Sequence, residues 1–410
     1  MNLKKICAAA LAATMMAGVV GCSSSKPATT EDKELTATIK VWSPQEDQSK
    51  DSGNWLQKQC DAFNKAHPKW KLTFDYGVCS EADAGKVVSQ DPSAAADVYM
   101  YANDQLGQLI DAKAIAQFGG ETLEEIKKTN SSTMLKSVTS NGKVYGIPFT
   151  ANTYFMYYDK SAFTDDEVKS LDKMIAKHTV AFPISNAWNL PSFFYANGGK
   201  MYGDGTDASK GIDFGGEKGY QVTQYLINLV NNKNFVDDAG GKGLSGLRSG
   251  TVKAMFSGSW DYDSVKKALG KNFACAKLPT ITINGQEKQL KAFAGSKALA
   301  VNPNSKHQEV AVALAKYLGG SKAQEDHYTM RSIIPCNTEL LKKDSISKDP
   351  LITAQNDTIN ETSVLQPTIT EMSNFWGPAE TFGKALAGKQ VNANNYKEKT
   401  DAFVKGINGK

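Results

Sequence analysis

Two hydrophobic periodicities take turns between Thr36 and Ile115, and that alternation restricts the fold more than any other feature. "TATIKVW" (36–42) alternates residue by residue, as a half-buried strand does. "WLQKQCDAFNKA" (55–66) then sets Leu56, Cys60 and Phe63 at i, i+4 and i+7, a helix with one buried face, and His67-Pro68 stops it. "KWKLTFDY" (69–76) alternates again through Trp70, Leu72, Phe74 and Tyr76. "ADVYMY" (96–101) reads as a third strand and "QLGQLIDAKAI" (105–115) as the helix after it. This order is how a parallel sheet with helices on its faces is written in sequence.

The pattern resumes further on. "NGKVYGIPF" and "TYFMYYDK" are strand-like and suit a crossover between units. "GYQVTQYLINLVNNKN" is a helix through Val222, Leu226, Leu229 and Val230. "VKAMFSGSW" reads as a strand ending in tryptophan, "SKALAVNP" as another, and "HQEVAVALAKYLGG" as a helix with a glycine stop. No repeat of solenoid or propeller period is visible. With 410 residues, 41% of them hydrophobic, the chain is long enough for two or three domains. The expected fold class is α/β, with two lobes rather than one long sheet.

The first residues, "MNLKKICAAALAATMMAGVVGC", have a positive start, a short apolar stretch and small residues at the end, the form of a secretory signal. "VVGC" resembles a bacterial lipobox, in which Cys22 is lipidated and becomes the first mature residue; the alternative is an ordinary signal with a coincidental cysteine. "SSSKPATTEDKE" reads as a polar tether. The net charge of +4 is small and no dense Lys/Arg stripe is present, so nucleic acid is not an expected partner. Beyond the leader, Cys60, Cys79, Cys275 and Cys336 permit disulfides, Cys60–Cys79 or Cys275–Cys336 among them, or four buried thiols; none has metal-ligand spacing.

Catalytic signals are poor. The four histidines (His67, His178, His307, His327) form no HExxH motif or metal-spaced cluster, and GxSxG is absent. "GKGLSG" (241–246) matches a phosphate-loop spacing but follows no strand, so it reads as a loop. "GDGTDASKG" lacks EF-hand spacing. No catalytic residue, metal or cofactor is expected. Acidic residues abound, but none is singled out as a glycosidase pair.

What stands out is aromatic residues beside short polar ones: Tyr101 before "ANDQ", Trp188 in "ISNAWNLP", Trp260 in "FSGSWDYD" and Trp376 in "EMSNFWGPAE". Core packing accommodates any one of them; that all four share the pattern favours a binding surface. A pyranose has a C–H face that stacks on such rings and an equator of hydroxyls that needs paired donors and acceptors. Asp104 and Gln105, just past the third strand, offer that polar edge where an open α/β sheet binds ligands.

These segments, together with "VWSPQEDQ", "ADVYMYANDQLGQLIDAKAI", "GKVYGIPFTANTYFMYYDK", "SGTVKAMFSGSWD" and "MSNFWGPAETFGKALAGKQV", resemble the maltose/maltodextrin-binding proteins, solute-binding proteins of ABC sugar importers. The resemblance implies two α/β lobes hinged around an interlobe ligand cleft, as in periplasmic binding proteins. It places stacking aromatics on Tyr101, Trp188, Trp260 and Trp376, a hydroxyl acceptor on Asp104, a neighbouring donor on Gln105, and an acidic residue on Glu46 with Asp47 adjacent. Asn152 and Asn186 stand where the family carries glutamates, and Tyr101 where its best-known members carry tryptophan. These departures leave fewer carboxylates, and so fewer charge-assisted hydrogen bonds, than the family's pattern carries.

The resulting expectation is a signal peptide at 1–21, a tether at 22–35, a first lobe from 36–150 plus 298–340, and a second lobe from 151–297 plus 341–410. The protein would bind maltose or maltodextrins as a monomer, held to the outer face of the cell membrane by lipid on Cys22, and deliver them to ABC permease subunits. An exported glycoside hydrolase, a binder of a different oligosaccharide, and an adhesion lipoprotein are the alternatives.

Overall fold

The computed structural model describes residues 33–409. The leader and Cys22 lie outside the described residues.

The first sheet has the strand order Ser363–Leu365, Ala292–Val301, Val98–Ala102, Leu35–Ser43, Trp70–Val78, with Ile147–Asn152 also pairing to Ala292–Val301. Leu35–Ser43 runs parallel to both Trp70–Val78 and Val98–Ala102. The alternation of Leu35–Ser43 becomes a buried face of Ala37, Ile39, Val41 and Ser43. Helix Trp55–Ala66 covers the sheet with Leu56, Cys60 and Phe63. Val98–Ala102 lies between two strands and is buried on both faces, as internal strands of such sheets are.

The second sheet has the order Phe235–Asp237, Val180–Phe182, Ala254–Ser257, Phe155–Asp159, Phe273–Ala276. Helix Gly216–Asn231 packs Val222, Leu226, Leu229 and Val230 into its core. "GKGLSG", expected as a loop, is instead part of helix Lys242–Ser249. Asp238 Oδ1 accepts from the Gly243 amide at 2.6 Å, and Leu247 is buried beside Val252. Tertiary packing and a capping carboxylate override the unfavourable glycines.

Among the described residues, the chain crosses between the lobes three times. Phe149 packs in the first core and Tyr154 in the second. Within one strand, Ala292 and Phe293 belong to the second core and Ala298–Val301 to the first. Past helix Ser321–Arg331, Ile334 and Leu340 pack with Phe155 and Tyr157 on the second lobe, while Asn337 and Thr338 between them still pair with Asn130 and Thr129 of the first. Cys60, Cys79, Cys275 and Cys336 are free thiols. Among the described residues, no helix is long and apolar enough to cross a membrane.

Candidate functional site: the interlobe cleft

Where the lobes face one another, a cavity of about 270 Å3 is floored by Phe149, Thr150 and Ala151 of the first crossing strand. Its first-lobe wall carries Glu46, Ser80 and Glu81, and its second-lobe wall Ser259 and Trp260. Trp260 also lines a neighbouring cavity of about 240 Å3 with Asn186, Trp188 and Asn189. One indole thus borders both spaces. Larger hollows lie elsewhere among the described residues: about 520 Å3 near Lys169 and Thr353 and about 600 Å3 near Lys136 and Pro367, neither lined by an aromatic ring, and about 390 Å3 near Gln224 and Ile283, lined by the single aromatic Tyr225.

Trp260 is 48% exposed, a rare state for so large an apolar side chain. It sits in the short turn Ser259–Asp261 that follows strand Ala254–Ser257. Gly258 permits its pose: a Cβ there would lie 2.0 Å from the indole. The Gly258 carbonyl is fixed by Tyr157 Oη, which donates to it at 2.9 Å. Trp188 lies 6.0 Å from Trp260, ring centre to ring centre, and meets Tyr154 edge-on at 5.1 Å. Asn186 Oδ1 accepts from the Trp188 amide at 2.8 Å and so shapes the turn that presents this ring. The Trp188 indole N–H points at Gln366 Oε1, 3.4 Å away. Trp376 is half-buried; its ring neighbours are Phe375 and Phe293 of the second lobe.

Tyr101 departs from the expectation. It is fully buried in the first core, so its ring offers no face to the cleft. The strand is internal, Ala298 stands opposite, and Gly146 leaves room for the phenol, whose oxygen would lie 2.4 Å from a Cβ at that position. The polar edge begins only after the strand ends at Ala102. Asp104 there is half-buried and accepts from Gln105 Nε2 at 2.6 Å. Burial pushes the Asp104 carboxyl up to about 6 despite that hydrogen bond. Asn152 is half-buried at the end of its strand, opposite Gly295.

Asp47 departs as well. Glu46 is exposed and lines the cavity, but Asp47 is 1% exposed behind it. Asp47 Oδ1 accepts from His327 Nε2 at 2.8 Å and pairs with the Arg331 guanidinium. Burial alone would raise this carboxyl; His327 and Arg331 outweigh burial and hold it below the ordinary carboxylate range. Trp55 stacks on the His327 ring at 4.2 Å. Asp47 therefore braces two residues that themselves line the cavity rather than facing it.

Sequence reasoning missed His327, Arg331, Glu81 and Lys297. His327 and Arg331 are one helical turn apart, but their partner Asp47 is 280 positions from His327, a pairing no local pattern announces. Lys297 carried a signal, a lone charge within an apolar strand. Among the described residues, no group of three or more His, Cys, Asp or Glu side chains could hold a metal ion.

Residues 58–354 match the family described as bacterial extracellular solute-binding protein. A solved structure described as a complex with acarbose superposes with a TM-score of 0.88 at 47% identity, over 91% of this chain and 99% of that one. A maltooligosaccharide ABC transporter solute-binding lipoprotein of Streptococcus pneumoniae is 27% identical over 69% of this chain and 70% of its own. A galactooligosaccharide-binding protein of Bacillus subtilis is 23% identical over 94% of this chain and 93% of its own. Two lobes around a cleft, an aromatic platform between two cavities and these likenesses agree: the chain belongs to the bacterial extracellular solute-binding proteins.

Proposed function

We propose that the protein binds α-1,4-linked gluco-oligosaccharides, maltose and maltodextrins, in the interlobe cleft and delivers them, chemically unchanged, to the permease subunits of an ABC importer. It works as a monomer held at the outer face of the cell membrane by lipid on Cys22. The observation that carries this reading is Trp260, exposed between two cavities with Trp188 beside it. Such rings supply apolar area to sugar C–H faces, while Glu46 and Asn186, which line the two cavities, would supply polar partners, and Asp104, Gln105 and Asn152 would add to them from outside those linings. Trp376 would extend the platform once the lobes rearrange on the hinge. The 47% identity to the acarbose-bound structure and the maltooligosaccharide relative favour glucose units.

A second reading, a galactooligosaccharide ligand, is favoured by the Bacillus subtilis relative alone. A thermal-shift comparison decides between them, because a ligand of the folded state raises the melting temperature. Maltotriose should raise it and a galactotriose should not; the reverse order overturns the reading. Free glucose appearing during incubation with maltotriose would point to a hydrolase. The anchor is tested by fractionation: wild type should sediment with membranes and Cys22→Ser should not, and an unmodified mature terminus by intact mass would contradict it.

A further inference from the structure

Nine of the ten residues of strand Ala292–Val301 are buried, and Lys297 is the exception. In its pairing with Ile147–Asn152 the register shifts between Lys297 and Ala298. Such bulges re-aim a side chain out of the ladder. Here the ammonium enters the cleft cavity, 3.3 Å from Glu81 Oε1 and 5.8 Å from the centre of the Trp260 ring. The Lys297 side chain keeps 26% exposure and that of Glu81 11%.

Stability does not explain this arrangement. Enclosing two charges costs desolvation that their attraction repays only in part, and apolar residues would hold the strand as well. An ammonium has three donors. Glu81 pairs with the charge and the indole attracts it, which leaves donor capacity aimed into the space beside the exposed Trp260 face.

We propose that Lys297, braced by Glu81, is a ligand-contacting and specificity-determining residue that donates a hydrogen bond to a hydroxyl of the sugar unit stacked on Trp260. This rests on the oligosaccharide reading above. A sugar lacking that hydroxyl leaves the ammonium short of a partner, so the site discriminates against it. Glu81 acts through Lys297 as a positioning residue.

The test is a calorimetric panel of maltotriose and its mono-deoxy derivatives on wild type and Lys297→Met. Loss of one charge-assisted hydrogen bond should weaken maltotriose by about tenfold. One deoxy derivative should bind wild type about tenfold more weakly than maltotriose yet show almost no penalty on Lys297→Met. A merely structural lysine would weaken the whole panel in parallel, which overturns the proposal, as does unchanged binding. Because Lys297→Met also leaves Glu81 without its partner, lysine acetylation of wild type gives a second readout that needs no variant. Saturating maltotriose should slow labelling of Lys297 several-fold while exposed lysines react as before; unchanged labelling overturns the proposal. Wild type that fails to bind maltotriose at all overturns the oligosaccharide reading, and this inference with it.

Discussion

On the first lobe's side of the cleft charge dominates, with Glu46, Glu81 and Arg331 in front and Asp47 behind. On the second lobe's side Trp188 and Trp260 stand among Asn186, Asn189 and Ser259, and the two carboxylates there, Asp238 and Asp261, accept from the Gly243 amide and the Ser257 hydroxyl. The charged wall is anchored by long-range pairs that reach back into its own core. The aromatic wall leaves the Trp260 indole half in solvent. A charged wall gives direction and an aromatic wall gives area, and sugars need both. The two walls should therefore fail differently when altered: the first through folding as well as affinity, the second through affinity alone.

Removing Asp47 should have the largest effect. Asp47→Ala leaves Arg331 without its buried counter-charge and His327 without its hydrogen-bond partner, which should cost about 3–5 kcal/mol of folding stability in denaturant unfolding. A loss below about 1 kcal/mol would mean that the pair behaves like an exposed one, and the contrast between the walls would disappear. Trp260→Ala comes next. It should weaken maltotriose by about 1–3 kcal/mol, roughly tenfold to a hundredfold, with the unfolding midpoint almost unchanged. Unfolding of that variant would make Trp260 a core residue after all.

Asp104 sharpens the comparison through pH. Its carboxyl, raised by burial to about 6, is fully ionised only above that value. As the proposed hydroxyl acceptor it would receive sugar donors in the ionised form, so ligand binding should draw the value down and release protons near it. Affinity should therefore rise with pH between about 5 and 7 and level off above, because the free protein holds the extra proton below its own value. Asp104→Asn should flatten that profile and weaken binding by about 1–2 kcal/mol at neutral pH. A wild-type affinity that does not change across this range would remove Asp104 from the site.

The smallest effect belongs to Tyr101. Its buried hydroxyl has no hydrogen-bond partner among the described residues, so Tyr101→Phe should leave ligand affinity unchanged and folding stability equal or slightly higher. A large loss of affinity would restore Tyr101 to the cleft.

The contrast also marks what could be read from the chain. The alternating periods of Leu35–Ser43, Trp55–Ala66 and Trp70–Val78 are local, and the sheet and helix they announce are there. Trp260 was legible because Ser, Gly and Asp surround it, a poor setting for a core indole. Tyr101 carried the same signature, yet its strand turned out to be internal, a fact fixed by pairing to residues almost two hundred positions away. Asp47 looked like a second copy of Glu46 because sequence does not say which neighbour faces inward on a short helix. Helix Lys242–Ser249 was hidden by its glycines, since the capping carboxylate and Val252 that stabilise it act through space. Local period and turn chemistry were readable, whereas partners brought together by the two-lobed topology were not.

The most direct test of the central claim is a calorimetric titration of maltotriose into wild type and Trp260→Ala side by side. Saturable one-to-one binding to wild type, at least about tenfold weaker in the variant, is the expected result. No saturable heat with wild type, or equal affinities for the two proteins, would contradict a cleft that holds its sugar against Trp260.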